Sequence, residues 1–129
     1  MDVEADIDIK FLTEAIKHAV PSLQEVRVFG SYNNGNWKRE KSDIDIFVLI
    51  ADEYFSSYRD REAFGYYQII ESKQRREIRK NIKNSYRGNH FDMFQIFLCT
   101  PKDLEYLKKR DEGKGFIGIN MMNGRLLYP

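Results

Sequence analysis

Two periods of apolar residues alternate along this chain, and the switches between them mark out its elements. Over residues 8–19, Phe11, Leu12, Ala15, Ile16 and Ala19 recur at helical spacing, and Pro21 closes the pattern. "EVRVFG" at 25–30 changes to strict alternation and stops at a glycine, as a short strand does. The polar stretch "SYNNGNWKREK" then predicts a helical turn and a loop. "SDIDIFVLIA" is apolar on both alternating faces once past its first residues. Ile44, Ile46, Val48 and Ile50 share one face, while Phe47 and Leu49 follow Asp43 and Asp45 on the other. A strand of that kind lies inside a sheet, with only its beginning open to water.

From about Tyr54 to Tyr86 the period is mostly helical, carried by Phe64, Tyr67, Ile70, Ile78, Ile82 and Tyr86, with Gly65 a point of interruption. "HFDMFQIFLC" at 90–99 predicts a third strand. Thr100, Pro101 and Asp103 then spell a helix start, with a cap, a proline at the first position and an acid at the third, and Gly113 is placed to end that helix. The tail predicts a small hairpin around Asn123–Gly124. Strands and helices in this order predict one α/β (α+β) domain over residues 1–129, with a mixed central sheet flanked by helices.

The 129 residues suffice for one core, and 42% apolar with 32% charged residues is the balance of a globular protein. No apolar run approaches a membrane span and the acidic start has no signal-peptide core, so a cytoplasmic location is expected. Cys99, the lone cysteine, reads as a small core residue, and His18 and His90 have no metal-site spacing. A net charge of +1 excludes a general preference for polyanions. Residues 71–87 are nevertheless locally basic, with seven Lys and Arg against two Glu. They predict chiefly a solvated helix face, with a contact to an acidic partner protein or RNA as the alternative.

"DIDI" occurs twice, at 5–10 within "ADIDIK" and at 42–47 within "SDIDIF". The first copy lies at the predicted mouth of a helix, where Asp6 or Asp8 would cap free N–H groups. The second begins a buried strand, where side chains at i and i+2 point the same way with Cα atoms about 6.5–7 Å apart. Asp43 and Asp45 can therefore converge on a hard cation such as Mg²⁺, which takes oxygen ligands and keeps waters and phosphates. Twelve residues before Asp43, the strand ending in Gly30–Ser31 offers backbone N–H groups and a hydroxyl to a phosphate.

"FGSYNNGNWKREKSDIDIFVLI", followed by "FDMFQIFLCTPKDL" and "NGRLLYP", resembles the DNA polymerase β-like nucleotidyltransferase superfamily, in particular its minimal nucleotidyltransferases. The resemblance implies that fold over the whole length. It implies that Gly30 and Ser31 bind nucleotide phosphates and that Asp43 and Asp45, with Asp92 as third carboxylate, hold two Mg²⁺ ions and act catalytically. Gln95, at the opposite strand parity, competes with Asp92 for the third place. The reaction implied is transfer of a nucleoside monophosphate, AMP from ATP, to a hydroxyl acceptor. Similar proteins are antitoxins paired with HEPN-type toxins, so a partner protein or a homo-oligomer is expected. The alternative is a non-catalytic partner-binding module with a degenerate nucleotide site. The arginine frequent after Gly-Ser is absent, leaving Lys38, Arg39 or Lys41 to substitute, and Trp37 is either a base contact or an exposed residue without a role.

Overall fold

In the computed structural model, which describes residues 2–39, 41–55, 73–110 and 122–129, four strands form one mixed sheet. They are β1 (Leu23–Phe29), β2 (Ile44–Ile50), β3 (Phe94–Cys99) and β4 (Arg125–Tyr128), in the order β3-β2-β1-β4. β1 runs antiparallel to both β2 and β4, and β2 runs parallel to β3. The register between β2 and β3 sets Ile44 beside Phe94, Asp45 beside Gln95 and Ile46 beside Ile96. Each apolar row of one strand thereby continues on the next, which pins the register, because a one-residue slip would turn every side chain to the wrong face.

Helix α1 spans Val3–Ala19 and α2 spans Lys73–Ser85. Ile9, Leu12 and Ile16 of α1 with Ile78 and Ile82 of α2 cover the face of the sheet carrying Val26, Val28, Ile44, Ile46 and Leu98. The opposite face has a smaller cluster, Phe29, Phe47, Phe97 and Cys99, under Leu104 of α3 (Pro101–Arg110). β2 is therefore buried on both sides, as its doubled apolar pattern predicts. Burying this set of side chains, each worth about 1.5–3 kcal/mol, is what holds the strands in place.

The predicted start of α3 forms as a reciprocal cap. The Asp103 N–H donates to Thr100 Oγ1 at 3.1 Å, and the Thr100 N–H donates to Asp103 Oδ2 at 3.0 Å. The start of α1 differs from expectation. The helix begins at Val3 rather than near residue 8, and its cap is Asp2, whose side chain accepts from the Ala5 N–H. The first "DIDI" thus lies inside a helix, and neither Asp6 nor Asp8 caps it. β3 begins at Phe94, not His90, because residues Phe91–Met93 wind into a 3-10 turn. Of the long helix predicted from 54 to 86, residues 73–85 are α-helical, Asp52–Tyr54 form a 3-10 turn, and 56–72 lie outside the described residues. Gly113 and the first arm of the predicted hairpin also lie outside them, and β4 finds its partner in β1.

The basic segment is mostly the solvated face expected, with Lys73, Arg76, Lys80, Lys83 and Arg87 exposed, but two of its arginines turn inward. Arg75 lies on the same stripe as Ile78 and Ile82 and is fully buried. It donates through Nε to the Leu98 carbonyl at 3.0 Å, pairs with Asp103 at 2.5 Å and covers the Phe55 ring at 4.5 Å. One turn on, Arg79 donates to the Ile96 carbonyl at 3.0 Å. These guanidinium groups occupy carbonyls on the outer edge of β3, which would otherwise be open to another strand. No described helix is long and apolar enough to cross a membrane.

Candidate active site

Asp43 is the exposed residue before β2 and Asp45 is that strand's second residue, half-buried, on the face shared with Phe47 and Leu49. Desolvation, and then the charge of Asp43, push the Asp45 carboxyl up to about 6 from the usual carboxylate range. Neither acid forms an ion pair among the described residues. Two carboxylates held together at the edge of a core, with no ion pair to offset them among the described residues, fit a divalent metal.

Gly30 ends β1 with φ +74°, a region that side-chain-bearing residues rarely adopt. A Cβ there would stand 2.5 Å from Asp45 Oδ2. Glycine is thus required twice over, by the turn and by the close approach of the carboxylate, and the Gly-Ser turn and the second "DIDI" form one site. After Ser31 the chain winds tightly, the Asn34 N–H donating to the Gly30 carbonyl at 3.1 Å and the Asn36 N–H to that of Ser31 at 2.9 Å.

The loop from the turn to Asp43 is anchored by aromatics. Tyr32 is buried, and its hydroxyl donates to Asp6 Oδ1 at 2.6 Å, which gives Asp6 of the first "DIDI" a structural role. Burial and the Asp6 carboxylate both hold the Tyr32 hydroxyl well above its ordinary pKa. Trp37 packs edge-on against Tyr32 at 5.2 Å and donates from Nε1 to the Ser42 carbonyl at 2.8 Å. Its role is therefore to fix the residue before Asp43. Arg39 lies over the Trp37 ring at 5.5 Å and pairs with Asp2 at 2.8 Å, tying the loop to the start of α1.

These parts border a hollow of about 590 Å³, lined by Trp37, Arg39 and Lys41 with Asp43, and by His90 and Asp92 from the turn before β3. That volume suits a small ligand. Arg39 and Lys41 share this hollow with Asp43, so charges of both signs that could meet a phosphate carrying a metal face one space. The two candidates for a third carboxylate position part ways. Gln95 is the direct neighbour of Asp45 on β3 and shares its face. Asp92 is exposed in the 3-10 turn, outside the strand pairing, and shares the hollow with Asp43.

Two clusters have no counterpart in the sequence reading. Arg75 with Asp103 is one, although its place three residues before Ile78 was a visible signal of burial. The other joins Asp8, buried at 3% exposure, to His90, whose Nδ1 lies 3.1 Å from Asp8 Oδ2. No pattern along the sequence connects residues so far apart. Cys99 is buried as expected, and burial raises its thiol pKa far above the ordinary value, so it is no nucleophile.

A mixed sheet that seats Asp45 against the glycine turn after β1 places this chain among α/β domains with a site at the strand ends. The chain belongs to the nucleotidyltransferase domain family, whose sequence model matches residues 9–112. Among solved structures it is similar to a protein of Sulfolobus solfataricus described as a "putative nucleotidyltransferase", at 17% identity over 99% of this chain and 96% of that one, with a TM-score of 0.42. No curated protein matches it.

Proposed function

We infer that the chain is a metal-dependent nucleotidyltransferase that moves AMP from ATP to a hydroxyl, carried by a partner protein, in the manner of an antitoxin component. The observation that supports this most directly is the seating of the Asp45 carboxylate against Gly30, which sets metal ligands beside a phosphate-binding turn. Gly30 and Ser31 hold the nucleotide phosphates at the end of β1, and Arg39 and Lys41 face the hollow beside Asp43 with complementary charge. Asp43 and Asp45 hold Mg²⁺, with Asp92 in reach of the same space. When bound, the metal neutralises charge on the phosphates and makes the acceptor hydroxyl easier to deprotonate. The acceptor oxygen attacks the α-phosphorus in line, the bond to the bridging oxygen breaks, and pyrophosphate leaves while the acceptor proton passes to a base or to water. The chain's own share is positioning and fixed charge.

Gln95 beside Asp45 favours a second reading, a partner-binding module whose nucleotide site is degenerate, since an amide supplies no charge to a metal. Calorimetry with ATP, with and without Mg²⁺, separates the two. On the catalytic reading ATP binds with Mg²⁺ and the doubly substituted Asp43→Asn/Asp45→Asn chain does not bind it. Absence of binding at millimolar ATP in the wild type would overturn that reading and leave the module.

A further inference from the structure

Glu4 and Asp8 lie one turn apart on α1, and His90 reaches them from the turn before β3. Their ligand atoms all fall within 4.8 Å of one another, with His90 Nδ1 at 3.1 Å from Asp8 Oδ2 and 3.8 Å from Glu4 Oε1. Ligands around a tetrahedral ion at about 2.0–2.2 Å are separated by about 3.3–3.6 Å, so small side-chain movements suffice to close the set. Asp8 is only 3% exposed, and no lysine or arginine forms an ion pair with it among the described residues. A carboxylate taken out of water in that way is ordinarily paired with a cation or bound to a metal.

A second observation points the same way. The hydroxyl oxygen of Tyr86 is sealed from solvent, and the Asp8 carboxylate is the acceptor that faces it. It is aimed at Asp8, since a Cβ on Gly88 would stand 2.9 Å from Asp8 Oδ1 and nearer still to the Tyr86 hydroxyl. That oxygen is placed to hold a ligand of the ion or the carboxylate that binds it, as outer partners of metal ligands do.

We propose that Glu4, Asp8 and His90 bind a divalent ion of the zinc class, at a site separate from Asp43 and Asp45. One imidazole nitrogen with two carboxylate oxygens is a donor set suited to Zn²⁺ and not to Mg²⁺, which prefers oxygen alone. Three protein ligands leave a position for water. Because His90 also lines the hollow, the ion fastens α1 to that wall of it. The inference does not depend on the proposed transferase activity.

The test uses the full chain stripped of metal, titrated with Zn²⁺ by calorimetry and with Co²⁺ by visible absorption. Glu4 and His90 are exposed, so Glu4→Gln and His90→Gln preserve the fold, which circular dichroism verifies. One Zn²⁺ per chain should bind the wild type and also Asp43→Asn/Asp45→Asn, while either single variant weakens binding by at least about tenfold. The Co²⁺ absorption bands should change when His90 is replaced. Absence of Zn²⁺ binding by the wild type up to about 0.1 mM, or binding lost with the aspartate pair and kept in His90→Gln, would overturn the proposal. MgATP binding is measured separately, so failure here leaves the transferase reading intact and the reverse also holds.

Discussion

Replacing Asp45 by asparagine should make the metal-free protein more stable while removing one of the proposed metal ligands. The Asp45 carboxyl titrates at about 6 in the folded chain, raised first by desolvation and then by Asp43, against 3.8 without these influences. The folded state therefore takes up this proton more readily than the unfolded state. Its stabilising contribution is full below about pH 4 and is lost as pH rises through about 6. A rise of about two pH units corresponds to about 3 kcal/mol, and solvent screening of a half-exposed group reduces this to about 1–2 kcal/mol. Asparagine keeps the shape and carries no charge to desolvate. Asp45→Asn should therefore gain about 1–2 kcal/mol at pH 7.5, about 3–8 °C in Tm for a domain of this size. Urea denaturation without divalent metal, at pH 7.5 and at pH 4, measures it. Equal stability of the two chains at pH 7.5, or a difference that persists unchanged at pH 4, would refute the reasoning.

Gly30→Ala should lose MgATP binding in calorimetry and fall by at least about 1 kcal/mol in denaturation, because the new methyl meets the Asp45 carboxylate and the left-handed backbone both oppose it. Arg75→Ala should cost about 3–5 kcal/mol in urea denaturation, since it leaves Asp103 buried without its guanidinium and a Leu98 carbonyl without its donor. Arg79→Ala, at a partly exposed site, should cost only about 1 kcal/mol and is the control for that comparison. Gln95→Asp places a third carboxylate beside Asp45. Mg²⁺ binding measured by calorimetry should tighten, and metal-free stability at pH 7.5 should fall by up to about 1 kcal/mol through cross-strand repulsion.

What the sequence shows of this protein is mostly what neighbouring residues do to one another. The cap at Thr100 and Asp103 is a three-residue device and forms as read. The doubled apolar pattern of β2 needs no partner to be recognised. That Gly30 and Asp45 meet is signalled by the Gly-Ser turn lying a short loop before the acidic strand start, since acids there would alone be ordinary solvated charge. Where two local devices compete the reading fails. Asp2 and the first "DIDI" both offer a helix cap, and only the packing of Ala5 and Ile9 against the sheet decides that the helix starts early. The charge of Arg75 suggests exposure, but its place on the Ile78–Ile82 stripe decides its burial, beside Asp103 and a β3 carbonyl that are distant in sequence.

The third-carboxylate question shows how far strand pattern alone can carry. Phe94, Ile96 and Leu98 must face the helices, as Ile44, Ile46 and Val48 do, so Gln95 must share a row with Asp45. That much follows from parity. An earlier start of β3 or a bulge could still have carried Asp92 into line, and nothing in "GNHFDMF" forbids either. The chain instead closes a 3-10 turn, the Met93 N–H donating to the His90 carbonyl at 3.1 Å, and pairing with β2 begins only at Phe94. Asp92 then approaches the hollow from its rim while an amide holds the strand position. On the proposed reading, metal affinity would rest on Asp43 and Asp45 with one acid at the rim, and Gln95→Asp measures how much charge that arrangement lacks.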